Sequence, residues 1–101
     1  MGILDFLFGS NHQKIEDFKN RDAVILDVRT KQEWDAGHIK GATHIPVSEI
    51  SAKFPAIKQW DKPVITCCAS GVRSGKVAKE LKKNGIDSIN GGGWKSLQQK
   101  L

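Results

Sequence analysis

A strand, a loop of small residues and an amphipathic helix follow one another without interruption in "VITCCASGVRSGKVAKELKKNG", Val64 to Gly85. Val64 to Cys67 is apolar enough for a covered strand. Ser74 to Asn84 sets Val77, Ala78 and Leu81 on one helix face and Lys76, Lys79 and Lys83 on another. Gly85 stands where a helix C-cap favours glycine. A unit of this kind buries its apolar surfaces only against further strands and helices, so it commits the chain to a layered α/β arrangement.

The rest of the chain supplies those partners. "NHQKIEDFKN", Asn11 to Asn20, spaces Ile15 and Phe18 three apart and predicts a short amphipathic helix. "AVILDV", Ala23 to Val28, runs apolar like a strand covered on both faces, the habit of parallel sheets. Thr30 and Glu33 in "TKQEW" form a capping box, and Gly37 ends that helix. "ATHIPV" predicts a strand closed by Pro46, and Ser48 predicts the cap of a helix through "SEISAKF" that Pro55 interrupts. After the "DKP" turn and the central unit, "DSI" predicts a short last strand, "GGG" a turn and "WKSLQQKL" a closing helix. Strands alternating with helices imply an α/β domain with a central, mainly parallel sheet.

With 101 residues there is room for one domain, which we place at residues 10–101, preceded by an apolar arm at residues 1–9. The arm, within "MGILDFLFGS", has no Lys or Arg before its apolar run and is interrupted by Asp5, which argues against a signal peptide. It also falls far short of the roughly 20 apolar residues of a spanning helix. We read it as a short packing element or a self-association patch, with no membrane partner and a cytoplasmic location. Basic residues outnumber acidic ones by 16 to 11, and all but Arg21, Arg29 and Arg73 are lysines scattered along the chain. Clustered basic residues with aromatic stacking platforms are missing, so the charge suits small anions better than nucleic acid.

The two cysteines, Cys67 and Cys68, are adjacent. Neighbouring Cα atoms lie about 3.8 Å apart, below the disulfide range that begins near 4.4 Å, so both thiols are expected to be reduced. Adjacent cysteines are not a zinc spacing, and His12, His38 and His44 form no ligand pattern with them, so no metal and no cofactor is expected. Cys67 continues the apolar strand and reads as core, whereas Cys68 opens the loop. Ala69, Ser70 and Gly71 are small enough for backbone N–H groups to converge on one point at the start of the following helix. With Val72, Arg73 and Ser74 they form the candidate binding loop. A thiol in that field loses its proton more readily, although a buried structural cysteine is the common alternative.

Four motifs in order along the chain resemble the rhodanese family of sulfurtransferases: "DVR" at Asp27 to Arg29, "EWDAGHIKGATHIP" at Glu33 to Pro46, "CASGVRS" from Cys68, and "GGGW" at Gly91 to Trp94. The resemblance implies a rhodanese-like three-layer α/β/α domain. It also implies Cys68 as nucleophile, because Gly71 stands three residues after it as in the family's loop. Asp27 and Arg29 resemble positions that brace the loop, and a structural charge pair near Glu33 is an equally good reading. His38, Trp34, Trp60 and Trp94 read as structural.

The activity implied is transfer of a sulfane sulfur through a persulfide on Cys68. The donor would be a small anion such as thiosulfate, and the acceptor cyanide or a thiol, with a protein persulfide as a further possible partner. Ala69 departs from the basic residue that many single-domain relatives carry after the cysteine, which weakens the expectation for thiosulfate. Two alternatives stand beside this reading. One is a non-catalytic rhodanese-like binding module. The other is a Cys-dependent phosphatase counted from Cys67, whose loop would usually have His where this chain has Thr66.

Overall fold

A computed structural model describes residues 10–101. The chain forms α1 (Ser10–Asn20), β1 (Val24–Asp27), α2 (Lys31–Ala36), β2 (Thr43–His44), a 3₁₀ turn (Val47–Glu49), α3 (Ile50–Gln59), β3 (Val64–Cys68), α4 (Val72–Lys83), β4 (Ser88–Gly93) and α5 (Trp94–Lys100). The strands make one parallel sheet in the order β2-β1-β3-β4. Successive crossovers therefore leave β1 towards opposite sides, and the loops at the C-terminal ends of β1 and β3 open at the point where the strand order reverses. In open α/β sheets that is where ligands gather.

Alternation along β3 sorts its side chains between two cores. Val64 and Cys68 join Leu26, Val28, Ile50, Ile57, Val77 and Leu81 beneath α3 and α4. Ile65 and Cys67 join Ile15, Phe18, Ile89 and Leu97 beneath α1 and α5. The outcome is the three-layer α/β/α sandwich that the motifs imply. The apolar arm at residues 1–9 lies outside the described residues, and no helix among the described residues is long and apolar enough to cross a membrane.

Three local expectations are corrected. Pro55 lies inside α3 and does not interrupt it, and the helix begins at Ile50 after a 3₁₀ turn, with no side-chain cap from Ser48. Ile50 and Ile57 flank the proline and are both buried, so packing carries the helix past the lost N–H bond. The "GGG" segment is not a turn but belongs to β4, where pairing with β3 shifts register between Thr66 and Cys68. Gly91 is required there, since a Cβ would lie 2.8 Å from Ile65 Cγ2 and 2.8 Å from the Thr66 carbonyl oxygen. Gly92, at φ +86°, absorbs the extra residue as a bulge.

Candidate active site

Cys68 ends β3, and its Sγ is turned under the first turn of α4. The loop between them is short because Gly71 takes a left-handed conformation, φ +100° and ψ −6°, and serves as the N-cap residue of α4 without a side chain to do the capping. The sulfur supplies what Gly71 lacks. Gly71 N donates to Sγ at 3.0 Å, Ser74 N at 3.4 Å and Ser74 Oγ at 3.3 Å. Cys68 therefore accepts from the Ser74 amide, which a Ser or Asp cap would normally satisfy, as well as from the Gly71 amide, and it sits at the positive end of the helix.

Burial pushes the Cys68 thiol up, but the hydroxyl and amide of Ser74 and the amides of Gly71 and Ser70 outweigh it, and the net displacement is downward. Cys67 shows the opposite balance: burial foremost, then the nearby Asp27 charge, pushes its thiol up to about 12. Two neighbouring thiols thus differ because one meets amides and the other meets apolar side chains. Both are free.

Around the sulfur, Ala69, Ser70 and Val72 are exposed, Gly71 and Arg73 are half-buried, and Ser74 is buried. Cys68 itself is 0% exposed. Arg73 makes its strongest hydrogen bonds away from the sulfur. Its guanidinium meets Glu33 of α2 as a two-pronged pair, Nη1 to Oε1 at 2.7 Å and Nη2 to Oε2 at 3.0 Å. The Glu33 pairing, and after it the charge of Cys68, raises the guanidinium's pKa.

Asp27 and Arg29 form a buried ion pair, with Arg29 Nη2 2.7 Å from Asp27 Oδ2. The same guanidinium donates to the carbonyl oxygens of Glu33 at 3.3 Å and Gly37 at 2.7 Å, and it lies over the Trp94 ring. The pair thus ties β1 to both ends of α2 and to α5. His38 and His44 stack on Trp34 and donate to the carbonyl oxygens of Trp34 and Arg29. These contacts tie the two rings to α2 and to the end of β1.

Asn90 is the loop residue's partner that sequence reasoning missed. It lies opposite Thr66 in the β3–β4 pairing. Its Nδ2 donates to the Gly71 carbonyl oxygen at 2.9 Å, and its Oδ1 accepts from Ser74 Oγ at 2.7 Å and from Gly92 N at 2.9 Å. Thr66 Oγ1 adds a bond to the Ser74 carbonyl oxygen at 2.8 Å.

Comparison with known proteins agrees with this architecture. The family model for the Rhodanese-like domain matches residues 10–100. The chain is 41% identical over 83 residues to the Bacillus subtilis protein YqhL, covering 80% of this chain and 65% of that one. It is 34% identical over 77 residues to the thiosulfate sulfurtransferase GlpE of Pseudoalteromonas translucida, covering 76% of this chain and 72% of that one. Among solved structures, a rhodanese-like domain protein from Staphylococcus aureus superposes with TM-score 0.69 at 32% identity, covering 83% of this chain and 86% of the other. The chain spans less than two thirds of the length of several curated relatives, as little as 21% in some. A family match over nearly every described residue, on a sheet of the same kind, makes this chain a member of the rhodanese family.

Proposed function

We propose that the chain is a sulfurtransferase that carries a sulfane sulfur on Cys68. The observation that supports this best is the convergence of Gly71 N, Ser74 N and Ser74 Oγ on Cys68 Sγ at 3.0 to 3.4 Å. Donors so arranged favour an anion at the sulfur position. Similarity to a thiosulfate sulfurtransferase supports the same reaction class.

In this reading the Cys68 thiolate attacks the outer sulfur of thiosulfate. A new S–S bond forms, the donor's S–S bond breaks, and its electron pair leaves with sulfite. The persulfide anion on Cys68 takes over the loop's donors, with Ala69, Ser70, Gly71, Val72, Arg73 and Ser74 as the binding loop. Cyanide or a thiolate acceptor then attacks the outer sulfur, and the Cys68 thiolate is regenerated as leaving group. Arg73 contributes a nearby positive charge, while Asp27 and Arg29 support the site through α2. A small anionic donor or a protein persulfide on one side and a thiol or cyanide acceptor on the other are the partners, and a reducing cytoplasm suits two free thiols.

Steady-state kinetics test the reading. Varying thiosulfate at several cyanide concentrations should give the parallel double-reciprocal lines of a ping-pong reaction, abolished in Cys68→Ser. Intersecting lines, or full turnover in Cys68→Ser, would contradict it.

A further inference from the structure

The hydroxyl of Ser74 has one proton and two acceptors within reach: Asn90 Oδ1 at 2.7 Å and Cys68 Sγ at 3.3 Å. Beside a neutral thiol the shorter contact with the carboxamide is the better bond. Beside a charged sulfur the balance reverses, because a charge-assisted hydrogen bond is about twice as strong as a neutral one. The proton then leans towards Sγ in a three-centre bond that Asn90 Oδ1 still shares, so Oγ stays where Asn90 has set it and no proton is exchanged.

Asn90 also acts on the second donor. Its Nδ2 holds the Gly71 carbonyl oxygen, and Gly71 N is the nearest donor to the sulfur. Gly92 N in turn bonds Asn90 Oδ1, so the bulge of β4 fixes the carboxamide's rotation. We propose that Asn90 is a positioning residue for Cys68: from β4 it aligns the Gly71 amide and the Ser74 hydroxyl on the sulfur. The proposal rests on the reading of Cys68 as the reacting thiol and adds to it a residue from another strand.

The titratable and charged groups around Cys68 are Arg73 on α4, Glu33 on α2 behind it, Cys67 on β3, and the Asp27–Arg29 pair at the end of β1. Substituting Asn90 removes none of them and adds no charge. A shift in Cys68 titration on losing Asn90 therefore reports the hydrogen bonds.

The measurement is a pH titration of the thiolate by ultraviolet absorbance. The sequence contains no tyrosine, so phenolate does not interfere, and Cys67, pushed up to about 12, ionises outside the window. In Asn90→Ala the Cys68 midpoint should rise by roughly one pH unit, leaving about tenfold less thiolate below it. Ser74→Ala should raise it similarly, and the double variant should shift less than the two singles added together, because both act through one hydroxyl. Where Asn90→Ala does not fold, Asn90→Leu, which keeps the branching at Cγ, is used and should shift in the same direction.

An unchanged midpoint in the folded Asn90 variant overturns the proposal, as does strict additivity with Ser74→Ala. A fall in melting temperature with the midpoint unmoved assigns Asn90 a structural role only and overturns it as well. The titration needs no sulfur transfer, so a shifted midpoint in a protein without transferase activity would contradict the functional reading and leave this proposal standing.

Discussion

Arg73 and Glu33, 40 residues apart in sequence, meet with both guanidinium nitrogens on both carboxylate oxygens, at 2.7 and 3.0 Å. Glu33 Oε1 also accepts from Thr30 N at 3.0 Å and Thr30 Oγ1 at 3.1 Å. One carboxylate therefore caps α2 and aims the arginine of the cysteine loop. Its pKa is held at about 2, by the Arg73 side chain first and the Thr30 amide next.

Removing that charge in Glu33→Gln keeps the capping amide oxygen and loses the ion pair. The folded-state value lies below the ordinary carboxylate range, so the stabilisation is complete above that range and is lost as pH falls through about 2. Both partners are about one-third exposed, so solvent screening holds the expected loss to about 1 kcal/mol near neutral pH. Urea unfolding at neutral and acid pH should show wild type and variant converging in acid.

Three glycines around the loop should rank in a set order when changed to alanine. Gly91→Ala forces a Cβ to within 2.8 Å of backbone oxygen and should cost about 3 kcal/mol. Gly71→Ala combines φ +100° with a contact of 3.1 Å to Gly92 Cα, for about 2 kcal/mol. Gly92→Ala meets open space at φ +86° and should cost only about 1 kcal/mol for its backbone conformation. Denaturant midpoints of the three variants check the order.

Much of this was legible in local pattern. The strand–loop–helix unit, the capping box and the opposite fates of Cys67 and Cys68 follow from spacing within a few residues. Pro55 misled because Ile50 and Ile57 are buried by elements distant in sequence. "GGG" misled because three glycines read as a turn until Ile65, Thr66 and Leu97 are known to crowd Gly91. Asn90, one polar residue between Ile89 and Gly91, carries no periodic signal, and its partners in the loop lie 16 and 19 residues earlier. The Arg73–Glu33 pair escaped for the same reason, since both residues belong to legible motifs but their contact is a product of the fold.

Cys67 should respond to alkali in the opposite sense from Glu33. Its folded-state value is raised to about 12, so its contribution is complete below the ordinary thiol range and is lost as pH rises towards 12. Cys67→Ala should flatten part of the alkaline loss of stability, measured by urea unfolding across alkaline pH. An identical alkaline profile in the variant would contradict the assignment.

The Asp27–Arg29 pair is buried at 0% and 4% exposure. Arg29→Ala leaves the carboxylate of Asp27 uncompensated and strips the Glu33 and Gly37 carbonyl oxygens of a donor, so it should destabilise by about 3–5 kcal/mol. The double change Asp27→Ala with Arg29→Ala should cost less than the two singles added together. Thermal unfolding of the set measures this, and full additivity would argue against a coupled pair.

Mass spectrometry of the intact protein after exposure to thiosulfate, followed by peptide mapping, bears most directly on the role of Cys68. The expected result is a gain of one sulfur atom on Cys68, removed by cyanide and absent from Cys68→Ser, while Cys67 stays unmodified. No sulfur gain with thiosulfate or any persulfide donor, or a gain located on Cys67, would contradict it.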